Sequence, residues 1–401
     1  MQTSDIKPKN KILREAFQIL PQLISWRRSF HMRPELGFQE VHTAKVIAHL
    51  MEKFGFQVKR GVGKTGIVAD LGNERPRFAI RADMDALPIQ ENSTHEYVSQ
   101  TPGVMHACGH DAHMACALGV AYLLAKESLP GSIRFIFQPS EEIADEEGFS
   151  GAQRMIQDRA LDGVDSIIAL HVEGTTPSGY IRIEKGPASG GVDSWFGEII
   201  GKGGHGAYPH ETLDPFYLSS QVINALNSIV SRRIYPFSPA VISIGSINGG
   251  FTQNVIPDRV RITGTLRYTE KKIQKQIHME IKRAFELARV LGGEFDLKFE
   301  IGSPPMLNHP ETSDLIASVA AGLLGGKKVL PFIKELGAED FGCYLDLIPG
   351  AMFSLGAKVP GKAIPLHSPL FDIDENCLSV GTAIFYETAK RYLGKESNKN
   401  Q

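Results

Sequence analysis

The amino-acid sequence predicts an α/β protein built from two domains, and three observations lead to this prediction. The chain has 401 residues, more than a single domain usually contains. In its first half, short apolar strands alternate with helices, which is typical of a mixed or largely parallel sheet covered on both faces. Farther along, the predicted element order is β-α-β-β-α-β, the order of the ferredoxin-like unit.

The first half begins with two predicted helices, 12–30 and 41–54, in which apolar residues recur at helical spacing on either side of Pro34. After them, short apolar or β-branched runs predict strands and longer periodic runs predict helices. In chain order these are strands 66–71 and 77–81, helix 109–126, strand 132–138, helix 150–159 and strand 166–172.

The character of the sequence changes near residue 187. An alternating strand, 195–200, is followed by the Gly-rich segment GKGGHGAYPH. The rest of the β-α-β-β-α-β order consists of helix 215–231, strands 240–247 and 260–268, helix 270–290 and strand 294–300. A last amphipathic helix is predicted at 378–393. We therefore expect one domain from 1–186 and 306–401, with a second domain, 187–305, inserted into it.

Composition and charge exclude several classes of protein. The chain has 43 Lys and Arg against 45 Asp and Glu, so bulk charge does not favour binding to nucleic acid or to an anionic membrane. The longest apolar run, 114–125, is too short to cross a bilayer. Four cysteines are too few for a disulfide scaffold, and the N-terminal segment has no apolar signal-peptide region. We expect a soluble protein of the cytoplasm.

The densest group of chemically active residues lies in MHACGHDAHMA, residues 105–115. Cys108 and His110 stand two residues apart on a Gly-containing turn that leads into a helix. Thiolate and imidazole are ligands for metals such as zinc. The alternative is a turn whose histidines are merely solvated.

Other potential ligands follow predicted strands. Glu141 and Glu142 come after strand 132–138, and His171 lies at the end of strand 166–172. Each has an ordinary alternative, an exposed acidic loop for the glutamates and a core histidine for His171. Asp85 follows strand 77–81, and His367 lies in a Pro-flanked loop. Because ligands bind beyond the carboxyl ends of strands in α/β sheets, their joint occurrence favours one metal site.

These side chains are numerous enough to hold two metal ions with open positions. Two-metal hydrolysis uses such a site to activate water. One carboxylate must then stay unligated to accept the proton of that water. Since neighbouring side chains point in different directions, Glu141 and Glu142 are able to divide the two roles.

At the level of motifs, the chain resembles the peptidase M20 family of metal-dependent amidohydrolases. It is most similar to the subgroup that contains hippurate hydrolases, aminoacylases and plant auxin-conjugate hydrolases. The resemblance runs over nearly the whole chain, through WRRSFHMRPELGFQE, RADMDALPIQE, MHACGHDAHMA, QPSEE, GKGGHGAYPH, TQNVIPD, GTLR, ED-F and LHSPLFD. It implies a Zn-exopeptidase-like, mixed-sheet catalytic domain with an inserted ferredoxin-like α+β domain, which acts as a lid and in dimerisation.

The resemblance also implies roles for single residues. Glu141 is the general base, and Asp85 orients a ligand histidine. In the inserted domain, His205 stabilises the transition state, from its own chain or from a partner chain. Asn254 and Arg267 line the substrate site, although a surface ion pair is the alternative for Arg267. The implied metal ligands are Cys108, His110, Glu142, His171 and His367.

We therefore expect a binuclear-metal amidohydrolase that cleaves N-acyl amino acids or related small conjugates. The two divalent ions are Mn, Zn, Co or Ni, and a homodimer or higher homo-oligomer is expected. A metallo-exopeptidase and a non-catalytic metal- or ligand-binding protein are the alternatives. Two departures from the family pattern are Ala338, where Ser is common, and the acidic segment 143–149, which could disfavour strongly anionic substrates.

Overall fold

The computed structural model describes residues 10–399 of the chain. The predicted absence of a signal peptide rests partly on residues 1–9, which lie outside the described part. The helices in the described part are α1 (Lys11–Gln18), α2 (Leu20–His31), α3 (Val41–Lys53), α4 (His110–Leu124), α5 (Gly151–Gln157), α6 (Pro215–Arg233), α7 (Lys271–Val290), α8 (Pro310–Leu324), α9 (Gly342–Leu345) and α10 (Cys377–Lys399).

The strands fall into one large sheet, one four-stranded sheet and two short pairs. They are β1 (Gln57–Val62), β2 (Gly66–Leu71), β3 (Arg77–Asp83), β4 (Ser132–Gln138), β5 (Ser166–Pro177), β6 (Ile181–Arg182), β7 (Gly186–Pro187), β8 (Gly191–Ile200), β9 (Gly204–His205), β10 (Ala240–Gly249), β11 (Val255–Ile256), β12 (Arg259–Tyr268), β13 (Glu294–Ile301), β14 (Leu307–Asn308), β15 (Val329–Leu330) and β16 (Gly350–Lys358).

The contacts within the chain divide it into two compact units. The larger unit comprises the chain up to Ala188, Leu307–Ile333 and the chain from Asp340 onward. The smaller unit comprises Ser189–Met306 and Lys334–Glu339.

The larger unit is built on an eight-stranded mixed sheet with the order β1-β2-β4-β3-β5-β16-β6-β15. Strands β4, β3, β5 and β16 are parallel at its centre, where every residue of β4 is buried. The register places Asp83 opposite Gln138 and Arg81 opposite Ala169, two residues before His171. The ends of β3 and β4 and the middle of β5 therefore lie at one level of the sheet. The predicted mixed α/β fold is confirmed.

Helix α4 is buried on every side, which explains why its apolar residues show no one-sided pattern. It contains most of the apolar run 114–125. It packs against α2 and α10 in the core of the larger unit. Its first residue is His110, and Gly109 precedes it with φ of 84°. In residues 10–399, no helix is both long and apolar enough to span a membrane.

Replacing Gly109 by Ala is expected to lower the free energy of unfolding by about 1–3 kcal/mol, because the new Cβ overpacks the core. That atom would lie 2.2 Å from Val172 Cγ2. Gly103→Ala is the matched control, since Gly103 also has a positive φ, 75°, but no atom lies within 4 Å of its added Cβ. Urea denaturation of both metal-free variants measures the difference. Equal midpoints would show that backbone strain alone, and not the contact with Val172, limits this position.

The smaller unit has the predicted ferredoxin-like order. Strands β10, β12, β8 and β13 form, in that order, an antiparallel sheet. Helices α6 and α7 bury apolar side chains in a core with this sheet. Trp195 of β8 and Phe285 of α7 meet there in an edge-to-face contact with 6.0 Å between ring centroids.

Three differences between the observed and the predicted elements have a clear physical reason. The single predicted helix 12–30 is two helices, α1 and α2, because Pro21 in the first turn of α2 cannot continue α1. Strand β1 was not predicted, since this edge strand is largely exposed and polar. Strand β16 was not predicted either, although it is central and buried. Gly350 at its start resembles a loop signal, but an added Cβ there would lie 2.4 Å from the Ile167 carbonyl oxygen.

Candidate metal centre

The five residues predicted as metal ligands come together in the larger unit. Cys108 Sγ lies 3.4 Å from His171 Nε2, and His367 Nε2 lies 3.3 Å from Glu142 Oε1. One set of ligand atoms within 4.8 Å of one another comes from Cys108, His110 and His171, and a second from Cys108, Glu142 and His367. Cys108 belongs to both sets, so its sulfur lies where two ions could share it.

Two of the histidines are oriented by backbone carbonyls. His110 Nδ1 lies 2.9 Å from the Asp85 carbonyl oxygen, and His171 Nδ1 lies 2.8 Å from that of Val172. Because a carbonyl only accepts, each Nδ1 carries the proton when the ring is neutral, and each Nε2 presents its lone pair to the group. Metal-binding histidines are commonly held in this way.

His110 Nε2 and Glu142 Oε1 are two buried atoms of the group that form no hydrogen bond, although Glu142 Oε1 lies 3.3 Å from His367 Nε2. Buried polar atoms are nearly always satisfied, and a cation held between these two atoms would satisfy both. They lie 4.0 Å apart. Thiolate, imidazole and carboxylate donors together suit a divalent transition metal, and the residues therefore fit such an ion.

The pKa shifts of Cys108 and His110 indicate a negative electrostatic environment in the ligand group. Burial raises the pKa of the Cys108 thiol, and the charges of Glu142 and Glu141 raise it further. Burial would lower the pKa of His110, but Asp83 and Cys108 outweigh it and raise that pKa well above its ordinary value. An environment that favours a positive charge on His110 also favours a bound cation.

Asp85 connects two of the predicted ligands. Its Oδ1 lies 3.2 Å from His110 Nδ1, and its Oδ2 accepts the Glu142 backbone N–H at 3.0 Å. The carboxylate therefore orients the histidine ring and the backbone that carries Glu142. This geometry suits the orienting role expected for Asp85.

A second acid–histidine pair has a role that the sequence did not predict. His113 Nε2 accepts the Val172 backbone N–H at 3.0 Å, so its proton lies on Nδ1, which donates to Asp83 Oδ1 at 2.6 Å. Burial lowers the pKa of His113 to about 4 and keeps the ring neutral. His113 thus fixes the backbone beside His171. The available signal was spacing, since His110 and His113 share one face of a helix.

Asp340, from the ED-F motif, is a second residue whose role was missed. Its backbone N–H lies 3.4 Å from Glu141 Oε1. Its buried carboxylate accepts hydrogen bonds from Gln138 Nε2, Arg81 Nη2 and the Ala152 backbone N–H, each at 2.9 Å. Asp340 therefore links the end of β4 to the loop beside Glu141.

The remaining predicted site residues lie in the smaller unit. His205 is exposed on β9, and its Nδ1 accepts the Ala207 N–H at 3.1 Å. The Asn254 carbonyl oxygen accepts the Gly206 N–H at 2.8 Å, which places Asn254 beside His205. Arg267 is half-buried on β12, and burial lowers its pKa. Within residues 10–399, Arg267 forms no ion pair, so the alternative of a surface ion pair is not observed there.

The acidic segment 143–149 is partly neutralised. Asp145 Oδ2 accepts hydrogen bonds from Lys64 Nζ at 2.5 Å and Arg154 Nε at 2.7 Å. Arg154 also lies 3.0 Å from Glu147. Two of the three carboxylates in segment 143–149 therefore have cationic partners, and the local negative charge is smaller than the sequence alone suggested.

A second histidine–carboxylate group lies around Arg27. His31 Nδ1 lies 2.7 Å from Asp111 Oδ2, and His31 Nε2 lies 3.4 Å from Glu91. His31, Glu91 and the neighbouring His95 have ligand atoms close enough together for a metal site. However, the buried Arg27 guanidinium lies 3.4 Å from His31 Nδ1, and the pKa of His31 is raised because Asp111 and Glu91 outweigh burial and Arg27. Protonated His31 satisfies both carboxylates, so this group is an ion-pair network.

The arrangement of the metal centre can be compared with known proteins. The sequence matches the profile of Peptidase family M20/M25/M40 over residues 79–391, which is most of the chain. The chain belongs to peptidase family M20. The resemblance inferred from the motifs is confirmed, and the protein is a hydrolase of the M20 family.

Curated relatives and solved structures agree with this family. The N-acetyl-L-cysteine deacetylase of Bacillus subtilis is 38% identical, over 93% of this chain and 88% of that protein. Thermostable carboxypeptidase 1 of Saccharolobus solfataricus is 37% identical, over 96% of this chain and 99% of that protein. A Bacillus subtilis structure described as a dinuclear metal-binding peptidase of the M20 family has a TM-score of 0.83 and 33% identity. It covers 94% of this chain and 99% of that one.

Proposed function

We propose that this M20 protein is a binuclear-metal amidohydrolase that cleaves N-acyl amino acids or related small conjugates to a carboxylic acid and a free amino acid. The observation that carries the proposal is the division of the glutamate pair. Glu142 Oε1 lies 3.3 Å from His367 Nε2 and in one ligand set with Cys108, whereas Glu141, whose carboxylate also lies near His110 and Glu142, accepts the Asp340 N–H at 3.4 Å. This difference supports cation binding by Glu142 and proton transfer by Glu141.

Cys108, His110, Glu142, His171 and His367 would hold the two divalent ions. When bound, the ions supply Lewis acidity and lower the pKa of water towards neutrality. We propose Mn, Zn, Co or Ni, because mixed sulfur, nitrogen and oxygen donors accept each of them.

Glu141 transfers the protons of the reaction. Its carboxylate removes a proton from the attacking water and later delivers it to the departing amino group. The Asp340 N–H holds one carboxylate oxygen, which limits rotation of the side chain. The relative named N-acetyl-L-cysteine deacetylase supports an amide of this type as the substrate.

The smaller unit would contribute substrate contacts. The Ala207 N–H fixes the proton of neutral His205 on Nε2, so this nitrogen is able to donate to a developing oxyanion. The half-buried Arg267 is free of ion pairs among the described residues and would bind a substrate carboxylate through two parallel hydrogen bonds. Asn254, which lies beside His205, would complete these contacts.

A panel of N-acetyl, N-benzoyl and indole-acyl amino acids tests this function, in metal-free form and with Mn²⁺, Zn²⁺, Co²⁺ or Ni²⁺ restored. Metal-dependent release of free amino acid is the expected result. A metallo-exopeptidase is the second candidate, because two relatives are named thermostable carboxypeptidases. Free dipeptides therefore belong in the panel, and faster turnover of these would favour the second candidate. Binding of metal without turnover of any compound would favour a non-catalytic protein.

We also propose a homodimer formed through the edge of the smaller unit. Strand β10 is an edge strand, and its side chains Val241 and Ile247 are 38% and 49% exposed. Phe216 and Tyr217 on the neighbouring α6 are also exposed. An exposed edge with apolar side chains is suited to pairing with a second copy.

The double variant Val241→Lys/Ile247→Lys is expected to shift the protein from dimer to monomer, because two ammonium groups would be buried at the paired edge. Ile301→Lys is the matched control, since Ile301 is 57% exposed on β13 at the opposite edge. Light scattering coupled to gel filtration gives the masses. A wild-type monomer, or a double variant that stays dimeric, contradicts the proposed interface. The four cysteines are free and buried, which supports a reducing compartment, and we propose the cytoplasm.

A further inference from the structure

The turn that carries the glutamate pair has an unusual backbone. Ser140, directly before Glu141, has φ of 44°, in the left-handed region that residues other than glycine rarely adopt. Such a conformation persists only where surrounding contacts hold it. The contacts of Ser140 therefore determine where Glu141 and Glu142 point.

Three hydrogen bonds hold Ser140. Its backbone N–H donates to Glu40 Oε1 at 2.8 Å, its carbonyl oxygen accepts the Gly151 N–H at 2.9 Å, and its hydroxyl donates to the Ile143 carbonyl at 2.7 Å. Two of these are local to the 139–151 region. The bond to Glu40 comes from a residue 100 positions earlier in the chain.

Glu40 is completely buried and directly precedes α3. Its second oxygen, Oε2, accepts the Thr65 hydroxyl at 2.5 Å. Burial raises the pKa of Glu40 to about 7, even though these hydrogen bonds lower it. A buried carboxyl group is costly unless its hydrogen bonds are specific, and both oxygens of Glu40 are used. The proposed amide hydrolysis does not use Glu40.

We propose that Glu40 is a positioning residue that holds the Ser140 backbone, and through it directs Glu142 into the metal group and leaves Glu141 beside it. The inference rests on the proposed function for the role of Glu141. Glu40 would act through one acceptor oxygen, Oε1, which accepts the Ser140 N–H. Gln at this position retains that oxygen, whereas Ala removes it and leaves the Ser140 N–H without a partner.

Three variants test the proposal: Glu40→Ala, Glu40→Gln and Thr65→Val. Thr65→Val removes the other hydrogen bond of Glu40 but keeps the one to Ser140. We expect Glu40→Ala to lower kcat and metal retention by about 10–100-fold, as for other residues that orient metal ligands. We expect Glu40→Gln and Thr65→Val to keep both within about 3-fold of wild type, with KM little changed in all three.

Hydrogen exchange of the Ser140 amide in the metal-free protein gives a readout that is independent of activity. Exchange should be at least about 10-fold faster in Glu40→Ala and close to wild type in Glu40→Gln, because exchange follows local opening. Unchanged exchange in a folded Glu40→Ala protein overturns the proposal. Equal losses of kcat in Glu40→Ala and Glu40→Gln overturn it too, since the acceptor oxygen would then not be the relevant feature.

Different outcomes test the proposed function and the positioning role of Glu40. If wild-type protein hydrolyses no compound of the panel, the proposed function is wrong, while Ser140 exchange and metal content still test the role of Glu40. If wild-type protein is active and Glu40→Ala has wild-type kcat and metal content, the positioning role is wrong and the function stands.

Discussion

Replacement of Glu141 by Gln is expected to lower kcat by about 10²–10⁴-fold or more, with the metal content unchanged. Gln has nearly the same shape and still offers an oxygen to the Asp340 N–H, which lies 3.4 Å from Glu141 Oε1. However, an amide cannot take a proton from water at neutral pH. The variant therefore removes proton transfer and leaves the ligand group in place.

Two matched variants separate this effect from others. Glu142→Gln should lose metal as well as activity, because Glu142 Oε1 belongs to the ligand group. Glu147→Gln, in the exposed part of the acidic segment, should keep both. Metal analysis after gel filtration and steady-state kinetics give the two readouts. A Glu141→Gln protein with its metals and a wild-type rate would rule out Glu141 as the base.

The second large effect concerns stability, and it is expected from Arg27→Met. Arg27 is completely buried and lies 2.8 Å from Asp111, 3.0 Å from Asp372 and 3.3 Å from Glu375. Its removal leaves Asp111 buried with His31 as its remaining ionic partner. Breaking a buried ion pair from one side typically costs about 3–5 kcal/mol, so we expect a loss of that size.

Arg28→Met is the control for Arg27→Met. Arg28 pairs with Glu375 at 2.6 Å, but its side chain is 38% exposed, so its removal should cost less than about 1 kcal/mol. Urea denaturation with a chelator present compares both variants with wild type, free of metal effects. Equal losses for the two arginines would contradict the buried network as the source of stability.

The effect of Arg27→Met should depend on pH in a defined direction. Burial would raise the pKa of Asp111, but Arg27 and His31 outweigh it and hold that pKa far below its ordinary value. A carboxyl group with a lowered folded-state pKa contributes stability above its unfolded pKa of about 3.9, and loses it as the pH falls towards the folded value. Without Arg27, the pKa of Asp111 rises. The difference in stability between the two proteins is therefore full at neutral pH and narrows in acid.

Much of the fold was predictable because local patterns agree with it. Helix α4 and strands β3, β4 and β5 were predicted from apolar runs whose lengths match buried elements. Strand β16 was not predicted, because Gly350 at its start resembles a loop residue. A glycine is needed there because the Ile167 backbone lies close to it, and this contact exists only in the assembled sheet. Pro21 could have indicated the break between α1 and α2. The apolar residues on both sides of it recur at helical spacing, however, and therefore predicted one continuous helix.

The candidate ligands were predictable for a different reason. Cys108, His110 and the glutamate pair stand next to elements that the sequence specifies, and parallel strands bring such positions to one level of the sheet. His367 depended more on the family resemblance, because its loop has no local pattern. The grouping of these residues in space remained a prediction until the register of β3, β4 and β5 was known.

The sequence by itself determined the α/β class, the order of most of the elements, the family and the types of side chain available for chemistry. Only the tertiary structure decided which residues hold those side chains in place. Asp83, His113, Asp340 and Glu40 act through hydrogen bonds to residues far along the chain. Such partners depend on strand register, on the rotation of α4 about its axis and on the path of loops, all of which the packing of the core sets.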